Sequence, residues 1–576
     1  MKTSFLTALR AAGALTLVAA LGAGFTACDS DSTPNQTGNA GRDGGSAGTG
    51  STGSAGTTGA AGTGTDGGAG TSSVTGVAGN DGGTDAPTDG SMTDAPSDGT
   101  GAAGTTGAAG TTGAAGTVAF VDTDAVLARF NANGTPDTTF GAQGVARIDL
   151  GTGALVGTSQ VRDAPWGIAK DAQDRVLIFA ARKNTEAGRV DADRVVARVT
   201  TTGALDTTFG SMGFHSFGIG TLSDGARNGR VDPDGKIVSS GYTSQPTGVG
   251  TQSANRIVLA RLNGGDLQTP DGGAPDAGAP ANGPGTFDTT FGAGGIVNSN
   301  PFSSTDPLMQ WGMAECYGLA RQSTGAYVTT GYGRLAPSGQ VNVVSFRYSP
   351  LGVFDTTWGT TGIFEKDLTG DNDRGRNVVA LPDDRILIAG SATPATGNVD
   401  GMLMILSANG ALDTSFNTTG YKVYKLNAGT TDRADEAFFG VAVSPNGMYA
   451  AAAGYRNAPT PVTATTNDDA TLVILPLGAT GTEFAGAVPL SATTNDRFWA
   501  VTFDANNKVV AAGFITEGTD NLLAVARFNI DGTLDTTFGT GGIAKINAKV
   551  AGTLEEARGV VVQSDGKIVI GGTVEK

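Results

Sequence analysis

Three short signals recur in a fixed order about sixty residues apart over most of the chain, and a period of that length restricts the fold to repeat architectures. The first is an apolar run ending in Arg and a large residue: "VLARF" with Arg129, "VVARV" with Arg198, "VLARL" with Arg261, "VSFRY" with Arg347 and "AVARF" with Arg527. Weaker copies lie near Ile405 and Val473. The second is "DTTFG" or a close variant, at Asp137, Asp206, Asp288, Asp355, Asp413 and Asp535, with a degraded copy ending at Phe484. The third is a hairpin of apolar run, turn and apolar run, as in "GRVDPDGKIVSSG" and "VVVQSDGKIVIGG". The runs are short and β-branched with Asp-Gly and Asn-Gly turns between them, and no stretch sustains a helical period. The body is therefore expected to be all-β.

Each unit holds four such runs and about seven units follow one another, which predicts a seven-bladed β-propeller of four-stranded blades. A closed ring must join its ends. The last unit stops after "KIVIGGTVEK", whereas the strand from Asp124 to Phe130 precedes the first full unit. That N-terminal strand is expected to close the last blade and remove the open edge that invites aggregation. "GVARIDL" is assigned to the first blade.

The three signals together resemble the bacterial delta-60 repeat family of propellers, whose units share a strand ending in Ala-Arg-aromatic, an Asp-Thr-Ser/Thr-Phe-Gly turn and a Pro-Asp-Gly-Lys hairpin. The resemblance covers essentially the whole body and implies the fold. It implies no settled activity. The insert "DLQTPDGGAPDAGAPANGPG" departs from the pattern and reads as an acidic surface loop.

The repeated residues carry two readings. A ring of the "DTTFG" carboxylates could hold a cation such as calcium at one mouth of the channel. The structural reading is preferred: Asp caps the turn through its own backbone, Thr suits a strand and Phe packs between blades. The repeated Arg is expected to pair with the Asp that follows it. Trp166, Phe439 and Trp499 recur at one strand position and are read as interblade packing, whereas Trp311 and Tyr332 lie nearer variable loops and are candidates for stacking on a ligand. His215 is the sole histidine, beside an expected inner strand, which limits His-based catalysis or metal binding to one position. No catalytic or metal-ligand residue is assigned, and no cofactor is expected. The repeating turns share one face of the ring, so the loops at 151–163, 184–192, 298–307, 457–468 and 516–520 occupy the other and form the candidate binding surface.

Ahead of the body, residues 1–27 have the zones of a signal peptide: basic Lys2 and Arg10, an apolar run from Ala11 to Leu21, then small residues. "FTAC" at 25–28 resembles a bacterial lipobox, which implies that Cys28 becomes the lipidated first residue of the mature chain. Cys316 would then be the only thiol, and it reads as a core residue. Residues 28–117 are Gly, Thr, Ala, Ser and Asp, including "GAAGTTGAAGTTGAAG", a composition that cannot bury enough apolar surface to offset its ordering entropy. They are expected to form a flexible tether to the propeller at 118–576. The net charge of −17 argues against a nucleic-acid partner. The expectation is an exported, monomeric lipoprotein of the outer membrane or cell surface, engaging a protein or polysaccharide of the envelope as a binding or scaffold module. The alternative is an envelope glycan hydrolase or lyase using carboxylates on a propeller face.

Overall fold

The computed structural model describes residues 123–151, 163–183, 191–246, 253–265, 283–302, 313–334, 340–394, 398–426, 435–457, 467–478, 481–549 and 554–575, all within the unit Gly76–Lys576. Cys28, the tether, Trp311 and most of the variable loops lie outside these residues.

The described residues form seven antiparallel four-stranded sheets and no helix. The innermost strands of blades one to seven are Asp163–Lys170, Asp224–Val231, Met313–Arg321, Arg374–Ala380, Glu436–Val443, Asp496–Phe503 and Glu555–Val562. Each touches the next, and the seventh touches the first, so the ring is closed. The architecture is a seven-bladed β-propeller.

Packing explains the sequence texture. Second and third strands lie between neighbouring blades and are covered on both faces, so they read as continuous apolar runs such as Thr123–Phe130, buried at every residue. Outer strands have only four residues, with charged positions as in "IFEK" at Ile363–Lys366; short, charged edges resist pairing with another chain.

Closure uses both chain ends. The last blade takes Glu555–Val562 and Ile568–Glu575 from the C-terminal end, then Thr123–Phe130 and Val145–Ile148 from the N-terminal end. Thr123–Phe130 pairs with Ile568–Glu575 over its whole length, from Thr123↔Glu575 to Phe130↔Ile568. Two N-terminal strands therefore complete the seventh blade, and "GVARIDL" belongs there as the outer strand. It does not start the first blade, because Val145–Ile148 pairs with Thr123–Phe130. The same shift makes Phe214–Phe217, which carries His215, the outermost strand of blade one, where an inner position was expected.

Candidate functional site

Every innermost strand carries a β-bulge, at Pro165/Gly167, Ala226/Asn228, Cys316/Gly318, Gly375/Asn377, Phe438/Gly440, Phe498/Ala500 and Ala557/Gly559. A bulge inserts one residue that opposes no partner and re-aims its side chain. The seven inserted residues are Trp166, Arg227, Tyr317, Arg376, Phe439, Trp499 and Arg558, and all line a cavity of about 230 Å³ at the centre of the ring. The bulge turns Trp166, Phe439 and Trp499, expected to pack between blades, into the channel, where Trp499 of blade six still packs on Phe439 and Tyr455 of blade five.

These side chains form a nearly alternating belt of cations and aromatic rings. The Arg227 guanidinium lies 4.1 Å from the Trp166 centroid and 4.8 Å from that of Tyr317. Arg376 lies 5.1 Å from Tyr317 and 5.0 Å from Phe439, and Arg558 lies 4.2 Å from Trp166 and 4.7 Å from Trp499. Each guanidinium is thereby held between two rings. Only between Phe439 and Trp499 is there no cation; those rings meet edge-on at 4.6 Å.

Two carboxylates fix the belt. Glu315, 2% exposed, accepts from Nε and Nη2 of Arg227 at 3.0 and 2.8 Å through Oε1, and from Tyr332 and Asn255 at 2.8 and 3.1 Å through Oε2. Burial works against the Arg227 cation, but Tyr317 and Glu315 outweigh it and hold its pKa well above the ordinary value. Glu556 accepts from Nη2 of Arg558 at 2.8 Å. The amide of Asn228 donates to Asn377 Oδ1 at 3.3 Å, linking blades two and four.

The repeated Arg and Asp lie elsewhere. They sit on the third strand and its link to the outer strand, away from the channel lining. Arg129, Arg198, Arg261, Arg347 and Arg527 donate through Nε to Asp137, Asp206, Asp288, Asp355 and Asp535 at 2.7–2.9 Å. Each Asp also accepts from the backbone and hydroxyl of the Thr two residues on, as Asp137 does from Thr139 at 3.0 and 2.7 Å. Each Arg covers the aromatic ring of its own motif, as Arg198 covers Phe209 at 4.7 Å. Nη1 then reaches a carbonyl of the next blade: Thr201, Gly264, Pro350, Ala408 and Ala132 in turn. The unit is thus a rivet between blades. Where Ile405 replaces the Arg, Arg385 of the adjacent hairpin takes its place on Asp413 at 2.8 Å.

A second carboxylate series was not read from the sequence. Asp163, Asp224, Asp373, Glu436, Asp496 and Glu555 stand three residues before their bulges and are at most 1% exposed. Asp163, Asp224 and Asp373 accept the backbone N–H of Leu150, Ile219 and Leu368 at 2.6–2.7 Å, fastening the outer strand of one blade to the inner strand of the next. Burial raises their proton affinity, carrying Asp163 to about 7, with a further push from Asp149 and Asp124, and Asp496 to about 6. Oxygens of Asp124, Asp149 and Asp163 lie within 4.8 Å of one another at the seam between the seventh and first blades.

These two series act oppositely on stability. Acids with raised values bind protons more tightly when folded, so their contribution falls as pH rises from the ordinary 3.8 through about 6 and 7. In the rivets, hydrogen bonds from Thr537 and the charge of Arg527 lower Asp535 to about 2, so that contribution is full above 3.8 and lost as pH falls towards 2. The melting temperature is expected to peak near pH 4–5 and decline towards pH 8. Asp163→Asn should flatten the decline around pH 7; a melting temperature that climbs steadily from pH 5 to 8 would contradict this assignment.

The remaining sequence candidates fall in structural settings. Tyr332 lies within the second strand of blade three, 5% exposed, its hydroxyl on Glu315. His215 packs edge-on against Phe287 at 4.7 Å, and burial lowers its pKa. Cys316 is buried beside a bulge, and burial pushes its thiol up to about 12, so it stays protonated and unreactive.

Comparison with known proteins adds to the fold. No curated protein matches this chain. Among solved structures it is similar to polysaccharide lyase Uly1 at 11% identity and TM-score 0.37, over 79% of this chain and 98% of that one. It is similar to a protein of unknown function from Dyadobacter fermentans at 10% identity and TM-score 0.33, over 72% and 95% of the two chains. A glucose dehydrogenase matches at 12% identity and TM-score 0.32, over 62% and 96%. Such low values carry no argument about activity. Residues 113–140, 381–416 and 505–538 match the family model described as "Domain of unknown function (DUF5122) beta-propeller". The body is thus a β-propeller that resembles, in those three segments, a domain without an assigned activity.

Proposed function

We propose that this protein is an exported, lipid-anchored binding module of the cell envelope, whose propeller engages a protein or polysaccharide partner without altering it chemically. The observation that carries this reading is the central belt of Arg227, Arg376 and Arg558, each held between aromatic rings on strands that are themselves locked into a closed ring. Such a belt is preorganised for recognition, since its side chains lose little freedom on binding. Glycoside cleavage calls for two carboxylates flanking one bond. Glu315 and Glu556 are both engaged by guanidinium groups of the belt, and the buried acids with raised proton affinity are tied to backbone N–H groups in separate seams. Anchoring through Cys28 and the 28–117 tether would hold a monomeric body away from the outer membrane or at the cell surface.

The test is retention of envelope polysaccharide and envelope protein by the purified chain, with reducing ends and unsaturated products assayed in the same samples. Saturable retention without product is the expected result. Product accumulating in proportion to protein would favour the glycan-cleaving alternative, and retention of neither material would sink the binding reading.

A further inference from the structure

We infer that the central belt is a site for an oxyanion, a carboxylate or sulfate group on a body the size of one sugar ring. This rests on the binding reading above and names the chemistry that the channel would recognise. The argument is an account of donors and acceptors. Among the described residues, Arg558 has a protein acceptor only at Nη2, through Glu556 Oε2, which leaves Nε and Nη1 for a ligand. Arg227 places Nε and Nη2 on Glu315 and has Nη1 left over. The indole N–H of Trp499, a residue only 7% exposed and part of the channel wall, is buried with no partner. The carbonyl oxygen of Asn377 already accepts from Asn228 and from the backbone of Val378, at 3.3 and 2.8 Å.

Acceptors move the other way. Both oxygens of Glu315 are occupied, by Arg227 and by Tyr332 with Asn255. Glu556 gives Oε2 to Arg558 and keeps Oε1, but neither glutamate lines the channel, so its lining presents guanidinium and indole N–H groups and no carboxylate. Of the belt cations, Arg227 and Arg558 pair with Glu315 and Glu556. The open N–H groups lie in the guanidinium planes, which is the geometry that meets a planar or tetrahedral oxyanion. A buried N–H without a partner is costly, so an acceptor that reaches Trp499 gains by satisfying it. The cavity of about 230 Å³ has room for one small acid.

The experiment titrates the full chain in detergent with glucuronate, with a monosaccharide sulfate and with glucose, at low ionic strength, reading melting temperature and tryptophan fluorescence. At least one acid should raise the melting temperature saturably by a few degrees and change the emission of Trp166 and Trp499, with glucose inert. A response to glucuronate alone assigns a carboxylate; a response to the sulfate alone assigns a sulfate ester. Arg558→Gln should weaken binding at least tenfold, while Lys422→Gln, away from the channel, should leave it unchanged. Should Arg558→Gln fail to fold, Trp499→Phe keeps the ring and removes the N–H, and should weaken binding several-fold. No response to either acid, or an undiminished response in the folded channel variants, would overturn the inference. Envelope retention that persists while neither acid binds would overturn it alone, whereas loss of both would remove the binding reading as well.

Discussion

Arg198→Ala should lower the stability of the propeller by about 3–5 kcal/mol, the cost expected when one partner of a buried ion pair is removed. The Arg198 side chain is 1% exposed, and it joins Asp206 at 2.8 Å, Thr208 at 3.3 Å and the Gly264 carbonyl of the next blade while covering Phe209. Its loss leaves Asp206 buried with Thr208 and a longer contact from Arg175 at 3.5 Å, and opens a gap over Phe209. Arg198→Lys should recover little, because an ammonium group cannot reach the carboxylate, the hydroxyl and the carbonyl together. The matching change at Arg347 should cost about 1 kcal/mol, as that pair is 16% and 25% exposed and water can replace it. Thermal unfolding of the two alanine variants checks this directly: equal losses would mean that burial of the rivet does not set its strength.

The rivets were legible because a residue needed once per blade repeats with the blade. Arg129 and Asp137, or Arg527 and Asp535, keep one spacing and close one geometry, and even the insert between Arg261 and Asp288 leaves their 2.8 Å contact intact. Blade boundaries were harder to place. A cyclic repeat shows its period along the chain but not its phase, so "GVARIDL" could be set at the start of blade one as readily as at the edge of blade seven.

The channel belt was hidden for the opposite reason. Its seven positions hold Trp, Arg, Tyr, Arg, Phe, Trp and Arg, so no residue type repeats there to draw notice. A signal for the bulge was nevertheless present in the second strand of six of the seven hairpins, as a glycine at Gly241, Gly331, Gly390, Gly454, Gly513 and Gly572, with Ala180 in its place in blade one. At each of them a Cβ would fall within 2 Å of an inner-strand carbonyl, as at Gly331, where it would lie 1.6 Å from Glu315 O. That glycine marks where the inner strand gains its extra residue, and the residue inserted opposite it is the one that faces the channel. The buried acids were missed because Asp and Glu alternate in the series, and blade three has Ala314 with its acid one residue later, at Glu315.

The belt holds its geometry only if the ring is closed, and closure depends on Thr123–Phe130 and Val145–Ile148 completing the last blade. Without them Ile568–Glu575 becomes a long, apolar, unpaired edge, and the two buried faces of Thr123–Phe130 are lost from their packing against the sixth and first blades. The direct measurement compares chains spanning 118–576 and 152–576 by thermal unfolding and by mass in solution. The account predicts one cooperative transition and a monomer for the longer chain, and loss of that transition or self-association for the shorter. A shorter chain that stays monomeric and melts at the same temperature would contradict closure by the two N-terminal strands.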